Sequence, residues 1–158
     1  MDIGTAIIGV VSAAVCALPF VLTSTNRTQK EKRSLNILRQ LAEKNKSEIS
    51  KFDIGSIYAI GVNELHKSLC YILEVDGFYK EEFINLNMVK TCKASTITRT
   101  TSGNNKIIDR LFLTFNFKDK SKSDLILEFY NVDIKYQLND EVKKIEKWHK
   151  LIVGLLEN

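Results

Sequence analysis

The sequence predicts an α+β protein in which an N-terminal transmembrane helix and a connector helix precede an antiparallel β domain that ends in an amphipathic helix. Three observations predict this class. An uncharged apolar run opens the chain, the hydrophobic period changes from helical to alternating near residue 53, and it becomes helical again after residue 139. We therefore divide the 158 residues into an anchor (1–26), a connector helix (27–52) and a β domain with its closing helix (53–158).

The anchor is predicted from residues 3–22, which carry no charge and, at about 1.5 Å per residue, are long enough to cross a bilayer as a helix. Three alternatives fit this run less well. A secretory signal peptide requires a positive start, whereas Asp2 precedes the run. A lipoprotein signal ending at Cys16 requires a small residue where Val15 stands. A core helix with one face in water is not apolar all round.

Four basic residues follow the anchor within about a dozen positions, and no Lys or Arg precedes it. Because positive flanks stay on the cytoplasmic side, we expect a single-pass protein of the inner (plasma) membrane with its C-terminal domain in the cytoplasm. The same residues can lie against anionic headgroups, although a plain stop-transfer flank explains them too. They are Arg27, Lys30, Lys32 and Arg33.

Small residues recur every four positions along one face of the anchor, at Thr5, Gly9, Ala13 and Ala17. Such a stripe lets a second helix approach closely, which predicts that the anchor packs with a helix of another membrane protein. Small residues are also common in membrane spans that have no partner.

The connector, residues 27–52, has an apolar stripe at helical spacing, formed by Leu35, Leu38, Ala42 and Ile49. The stripe fits a short coiled-coil seam, but Asn45 occupies a seam position and barely three heptads are present. We favour the other interpretation, in which the stripe packs on the domain that follows.

Period-two patterns predict the strands of the β domain at 57–62, 69–75, 89–100 and 110–117, with others beginning near 83 and 125. Asp76-Gly77 predicts a tight turn, and polar loops are expected at 101–106 and 119–123. In the strongest strand, the inward face is predicted to be Leu111, Leu113, Phe115 and Phe117.

A closing helix is predicted after Asn139, which is a candidate N-cap, with acidic Asp140 and Glu141 in the first turn. Apolar residues recur there at three- and four-residue spacing, including Val142, Ile145, Trp148 or His149, Ile152 and Leu155 or Leu156. Such a helix would cover an open end or face of a curved sheet.

Strands joined by hairpins, a Thr/Ser-rich middle strand, the hairpin 111–130 and a final helix containing Glu146-Lys147-Trp148 resemble the pleckstrin-homology-like (PH-like) domains of bacterial membrane proteins. The resemblance covers about residues 57–156. It implies a partly open antiparallel β-barrel or sandwich of two sheets capped by the helix, which binds lipid headgroups, peptides or proteins. The lipid-binding members hold phosphates with closely spaced Lys and Arg on the first hairpin, where this chain has His66 and Lys67.

Composition and motifs favour no catalytic function. The net charge of +4 comes from basic residues mixed with carboxylates, which does not predict nucleic-acid binding. Cys16, Cys70 and Cys92 are too few and too far apart for a disulfide framework, and the latter two are expected in the core. His66 and His149 have no ligand partner at a metal-binding spacing, and no P-loop or nucleophile motif is present. We expect no enzyme, cofactor or metal.

These observations predict a single-pass membrane adaptor or accessory subunit. Its helix would pack with other membrane helices, and its cytoplasmic PH-like domain would bind a protein. The alternative is a lipid-binding module at the membrane surface that uses basic turns, in particular Lys118, Lys120 and Lys122. The small-residue stripe favours the adaptor, because a lipid sensor needs only an anchor.

Overall fold

A computed structural model describes residues 27–158 of the chain. The predicted anchor, residues 1–26, lies outside the described residues. Within residues 27–158, no helix has both the length and the apolar character needed to span a bilayer. The chain divides after Arg33 into two units. The second unit, Ser34–Asn158, contains all of the described strands.

Seven strands form two antiparallel sheets in the described part of the chain. The first sheet contains β1 (Lys51–Ile54), β2 (Tyr58–Asn63), β3 (Ser68–Val75) and β4 (Phe78–Asn85), in that order. A short 3-10 helix, Leu86–Met88, leads to the second sheet of β5 (Val89–Thr100), β6 (Lys106–Phe117) and β7 (Leu125–Asn131). Helix α1 is described over residues 27–44, and helix α2 (Glu141–Glu157) ends the chain. The predicted α+β class is confirmed.

The described strands form two antiparallel sheets and no closed barrel, which agrees with the partly open form of the prediction. β1 and β5 are edge strands of different sheets, and no ladder joins them. Helix α2 contacts β5, and Lys144 of the same helix donates to the Ile54 carbonyl of β1 at 2.8 Å. The helix therefore contacts both edges, and no strand pairing joins them among the described residues.

One hydrophobic core lies between the sheets and under α2. Leu111, Leu113 and Phe115 are buried in it, as the alternation of β6 predicts, and Phe117 is partly buried against it. Trp148 is buried in the same core, on the predicted apolar face of α2. Each large apolar side chain buried in this way contributes roughly 1.5–3 kcal/mol, which makes this cluster the main source of stability.

A second, smaller cluster covers the opposite face of the first sheet. It joins three residues of α1 to three of the sheet: Leu38, Leu41, Ala42, Ala59, Cys70 and Ile72. The approach is close, because a Cβ on Gly61 would lie 3.0 Å from the Leu38 and Ile49 side chains. The prediction that the connector stripe packs on the following domain is confirmed for Leu38 and Ala42.

The predicted connector helix, 27–52, is too long, because α1 ends at residue 44. Lys46 has a positive φ of 54°, its N–H donates to the Glu43 carbonyl at 2.9 Å, and the Ser47 N–H donates to the Ala42 carbonyl at 2.9 Å. This pair of hydrogen bonds is a Schellman motif, which ends a helix at a left-handed residue. The chain then enters β1, which pairs with β2.

Other boundaries also differ from the prediction. β4 begins at Phe78 and β6 at Lys106, both earlier than expected. Helix α2 begins at Glu141 with Asp140 as its N-cap, so the predicted cap at Asn139 is wrong by one position. Asn139 instead donates its backbone N–H to the Glu141 carboxylate at 2.6 Å. The predicted turn at Asp76-Gly77 is confirmed, and both residues have positive φ, as a two-residue hairpin turn requires.

Candidate binding site

Strand β1 presents part of its backbone on an open edge of the first sheet. The Gly55 N–H donates to the Tyr58 carbonyl at 2.8 Å. By antiparallel alternation, Phe52 and Ile54 therefore direct their N–H and carbonyl groups away from β2. Lys144 Nζ donates a hydrogen bond to the Ile54 carbonyl, which agrees with this alternation. The Phe52 N–H and carbonyl have no hydrogen-bond partner among the described residues.

An ionic network holds α2 beside β1. Lys144 Nζ lies 3.3 Å from Asp53 Oδ1, and Lys147 Nζ lies 3.1 Å from Asp53 Oδ2. Burial by itself would raise the pKa of Asp53, but the hydrogen bond from Lys147 and the charge of Lys144 outweigh it and leave the pKa below its ordinary value. At the start of α2, the buried Glu141 accepts a hydrogen bond from Ser56 Oγ at 2.6 Å.

A groove lies between the edge of β1 and the next turn of α2, with a volume of about 230 Å³. Its lining consists of Ser50, Lys51, Phe52, Lys147, Trp148 and Leu151. The apolar residues of the lining are Phe52, Trp148 and Leu151, and the lining has two cations and no carboxylate. Trp148 is only 2% exposed, and its indole Nε1–H has no hydrogen-bond partner in the described part of the chain. The groove thus combines backbone hydrogen-bonding groups, apolar surface and positive charge.

A second surface forms where three segments meet at one end of the sheets. None of these segments contributes to the lining of the groove. The Leu86 N–H donates to the Lys67 carbonyl at 2.8 Å, which joins the β2–β3 turn to the 3-10 helix. The Lys118 N–H donates to the Met88 carbonyl at 2.9 Å, which joins the 3-10 helix to the β6–β7 turn. We call this the basic end. It carries His66, Lys67, Lys118, Lys120 and Lys122, together with Leu65, which is 85% exposed.

The remaining sequence-predicted site residues belong to the start of α1 and to the predicted anchor. The basic residues Arg27, Lys30, Lys32 and Arg33 are exposed on the described part of α1, where Arg27 pairs with Glu31 at 3.1 Å. The helix-packing residues Thr5, Gly9, Ala13 and Ala17 lie outside the described residues.

The two histidines and the two cysteines in the described part of the chain lie in different elements. His66 lies in the β2–β3 turn, and His149 Nε2 lies 3.1 Å from the Cys92 carbonyl. Cys70 and Cys92 are buried, as predicted, and burial raises the pKa of Cys70 to about 11 and that of Cys92 to about 12. Within residues 27–158, no group of three or more His, Cys, Asp or Glu side chains could hold a metal ion.

Sequence reasoning missed the groove. It assigned Ser50, Lys51 and Phe52 to the connector helix, and it assigned Trp148 to the core only. The available signal was the polar–apolar alternation of Lys51–Ile54, which is only four residues long. Comparison with protein-family models, with curated proteins and with solved structures gave no match. The geometry of the two surfaces is therefore the basis for a functional proposal.

Proposed function

We propose that this protein is a single-pass adaptor or accessory subunit of the inner membrane, whose cytoplasmic PH-like domain binds another protein. The observation that carries the proposal is the groove between β1 and α2. An open strand edge beside an apolar helix surface offers main-chain hydrogen bonds and a side-chain pocket together. Those are the two features by which a folded domain holds a polypeptide.

The PH-like assignment is supported by the order of the elements. Four antiparallel strands, then three, then a helix that contacts β5 and the edge of β1 correspond to the two sheets and capping helix that the resemblance implies. The membrane anchor is supported by the uncharged run at 3–22 and by the basic residues that follow it.

The test is affinity purification of the full-length protein in mild detergent, with mass spectrometry of the proteins that remain bound. The variant Gly9→Ile, Ala13→Ile fills the small-residue stripe, and Ile7→Leu, Val11→Ile is the matched control on the opposite side of the same helix. We expect a defined membrane protein to be retained by the wild type and the control and lost from the stripe variant. Purification of the protein alone in all three forms would contradict the proposal.

A second candidate function is contact with anionic lipid at the basic end. The observation that favours it is that backbone hydrogen bonds bring the β2–β3 and β6–β7 turns together, so Lys67 and Lys118 share one surface with the exposed Leu65. Basic residues attract anionic headgroups by about 1 kcal/mol each, and an exposed apolar side chain can enter the interface.

This second function is tested on the full-length protein in nanodiscs, with a polarity-sensitive fluorophore on Leu65→Cys in a Cys16→Ser background. A blue shift in anionic nanodiscs that disappears at high salt and in the Lys120→Gln, Lys122→Gln variant is the expected result. The same spectrum in neutral and anionic nanodiscs would exclude it.

A further inference from the structure

We propose that the groove between β1 and α2 binds an extended, acidic segment of a partner protein, which adds as a strand to the edge of β1 and places one large apolar side chain against Trp148 and Leu151. The inference rests on the proposed function, because it names the docking site and the chemical class of that partner. Four observations carry it.

The first observation is the free backbone of Phe52. Its N–H and carbonyl point outward from the edge of the sheet, and a residue opposite it on an added strand can exchange two hydrogen bonds with it. The site is short. Lys144 occupies the Ile54 carbonyl, and the Ser50 N–H already donates to the Val62 carbonyl at 2.8 Å. Strand addition is therefore centred on Phe52.

The second observation is the size of the apolar space. A cavity of about 150 Å³ accommodates benzene. The groove volume of about 230 Å³ therefore has room for one aromatic or leucine side chain from the partner. Because the groove adjoins the outward groups of Phe52, a side chain that enters it can belong to the same segment that pairs with β1.

The third observation is the unsatisfied donor of Trp148. A buried N–H without an acceptor costs roughly 1–3 kcal/mol relative to a paired one. The Trp148 Nε1–H is in this state, and Trp148 is one of the residues that line the groove. Because the Nε1 atom itself is buried, a polypeptide in the groove supplies an acceptor to it only if the Trp148 ring shifts toward the groove on binding.

The fourth observation is the charge of the lining. Lys51 and Lys147 line the groove, and each is already in an ion pair, with Glu64 at 2.9 Å and with Asp53 at 3.1 Å. The two lysine side chains are 57% and 63% exposed. Exposed pairs contribute only about 0–1 kcal/mol, so these lysines can bind a partner carboxylate at little cost. Charge complementarity therefore selects an acidic segment over a basic or neutral one.

The probe is a displayed library of short random peptides, selected on the full-length protein in detergent. We expect the selected peptides to be rich in Asp and Glu around one Phe, Tyr, Trp or Leu, and to bind more weakly as salt is raised. A basic or proline-rich consensus, or no peptide enriched over empty detergent micelles, would overturn the inference.

The decisive variant is Phe52→Pro, which removes the outward N–H without removing a bond between β1 and β2, since proline is tolerated on an edge strand at such a position. The matched control is Glu81→Pro on β4, the opposite edge strand, where alternation from the Val75 and Phe78 pair also directs the N–H outward. We expect at least about a fivefold loss of affinity in Phe52→Pro and none in Glu81→Pro, with both thermal midpoints near that of the wild type. Equal affinity in the two variants would overturn strand addition.

Three results separate this inference from the proposed function. If a membrane partner is lost from the Gly9→Ile, Ala13→Ile variant but retained by Phe52→Pro, the adaptor function stands and the groove is not its docking site. If acidic peptides bind the groove but no membrane protein co-purifies, the docking site stands and the accessory-subunit function fails. If the wild type alone is a dimer that Phe52→Pro dissociates, the occupant of the edge is a second copy of the chain, and the inference is wrong.

Discussion

The two faces of the four-stranded sheet are packed in different ways. The inner face presents large side chains, such as Ile60 and Tyr71, to a core that also includes the second sheet and α2. The outer face presents three small residues, Ala59, Gly61 and Cys70, together with Ile72, to a single helix, α1. One face therefore belongs to a continuous core, whereas the other holds one helix by a small cluster.

This difference predicts two levels of stability in one domain. Regions with few buried apolar contacts open at lower free energy than the global unfolding transition. The inner core contains 19 buried residues and the outer cluster contains six, so we expect α1 to leave the sheet before the sheets separate. The groove lies between β1 and α2, and α2 belongs to the more stable layer.

The largest effect is expected from Trp148→Ala. Trp148 is the largest of the fully buried side chains in the described residues, and its truncation leaves a cavity under α2. We expect a loss of about 3–5 kcal/mol in the free energy of unfolding, measured by denaturant titration of the full-length protein in detergent. The exposed Leu65→Ala should change it by less than about 0.5 kcal/mol. A loss below about 1 kcal/mol for Trp148→Ala would show that α2 is not part of the main core.

The next effect is expected from Gly61→Val, which acts on the outer face alone. A Cβ at Gly61 lies 3.0 Å from Leu38 and Ile49, so the added side chain displaces α1, at a cost of about 1–3 kcal/mol. Valine itself favours a strand. Hydrogen exchange should become faster in residues 34–44 while the amides of β3 and β6 stay protected.

The control for this variant is Gly154→Ala in α2, where a Cβ meets nothing within 4 Å. It should leave exchange in α1 unchanged and stabilise the helix by up to about 1 kcal/mol. Faster exchange throughout both sheets in Gly61→Val would contradict a separable outer layer.

The sequence was sufficient for elements whose pattern is local. The bounds predicted for β5, 89–100, are those observed, and the alternation around Leu113 identified the inward face of β6. It was insufficient for elements whose own residues carry little pattern. β1 has only four residues and is a strand because β2 pairs with it, and β4, which begins at Phe78, contains the charged run of Lys80, Glu81 and Glu82, which has no apolar period.

The candidate site was less predictable than the fold. Each of its residues is ordinary in sequence, and the groove lies between β1 and α2, which is far along the chain and contacts β1 through Asp53, Lys144 and Lys147. Periodicity reports which face of an element is buried, and it does not report which two elements lie side by side.

Thiol labelling distinguishes the two layers with an effect of about tenfold. Cys70 lies in the outer cluster and Cys92 in the inner core, and burial raises the pKa of both thiols, so each reacts only after local opening. In a Cys16→Ser background, we expect Cys70 to be alkylated faster than Cys92. Gly61→Val should accelerate Cys70 by about tenfold, equivalent to about 1.4 kcal/mol, and leave Cys92 unchanged. Equal acceleration of both thiols would mean that the layers open together.

The smallest effect is expected from the ionic contact between Asp53 and α2. This effect on stability should depend on pH and should be confined to the inner layer. The pKa of Asp53 is lowered in the folded state, so its contribution to stability is present above the unfolded value of about 3.9 and is lost as the pH falls through the folded value. Asp53→Asn should therefore reduce the free energy of unfolding by about 1 kcal/mol near pH 7, and the difference from wild type should be smaller in acid, below the unfolded value of about 3.9.

Glu146→Gln, which removes an exposed charge from the same helix, is the control and should change stability by less than about 0.5 kcal/mol at either pH. Hydrogen exchange in residues 34–44 should be the same in Asp53→Asn and wild type, because α1 is held by apolar contacts with Ala59 and Ile72 and by no contact with Asp53 among the described pairs. A pH-independent difference between Asp53→Asn and wild type would show that the carboxylate charge does not hold α2. Faster exchange in α1 would show instead that the two faces of the sheet are coupled through β1.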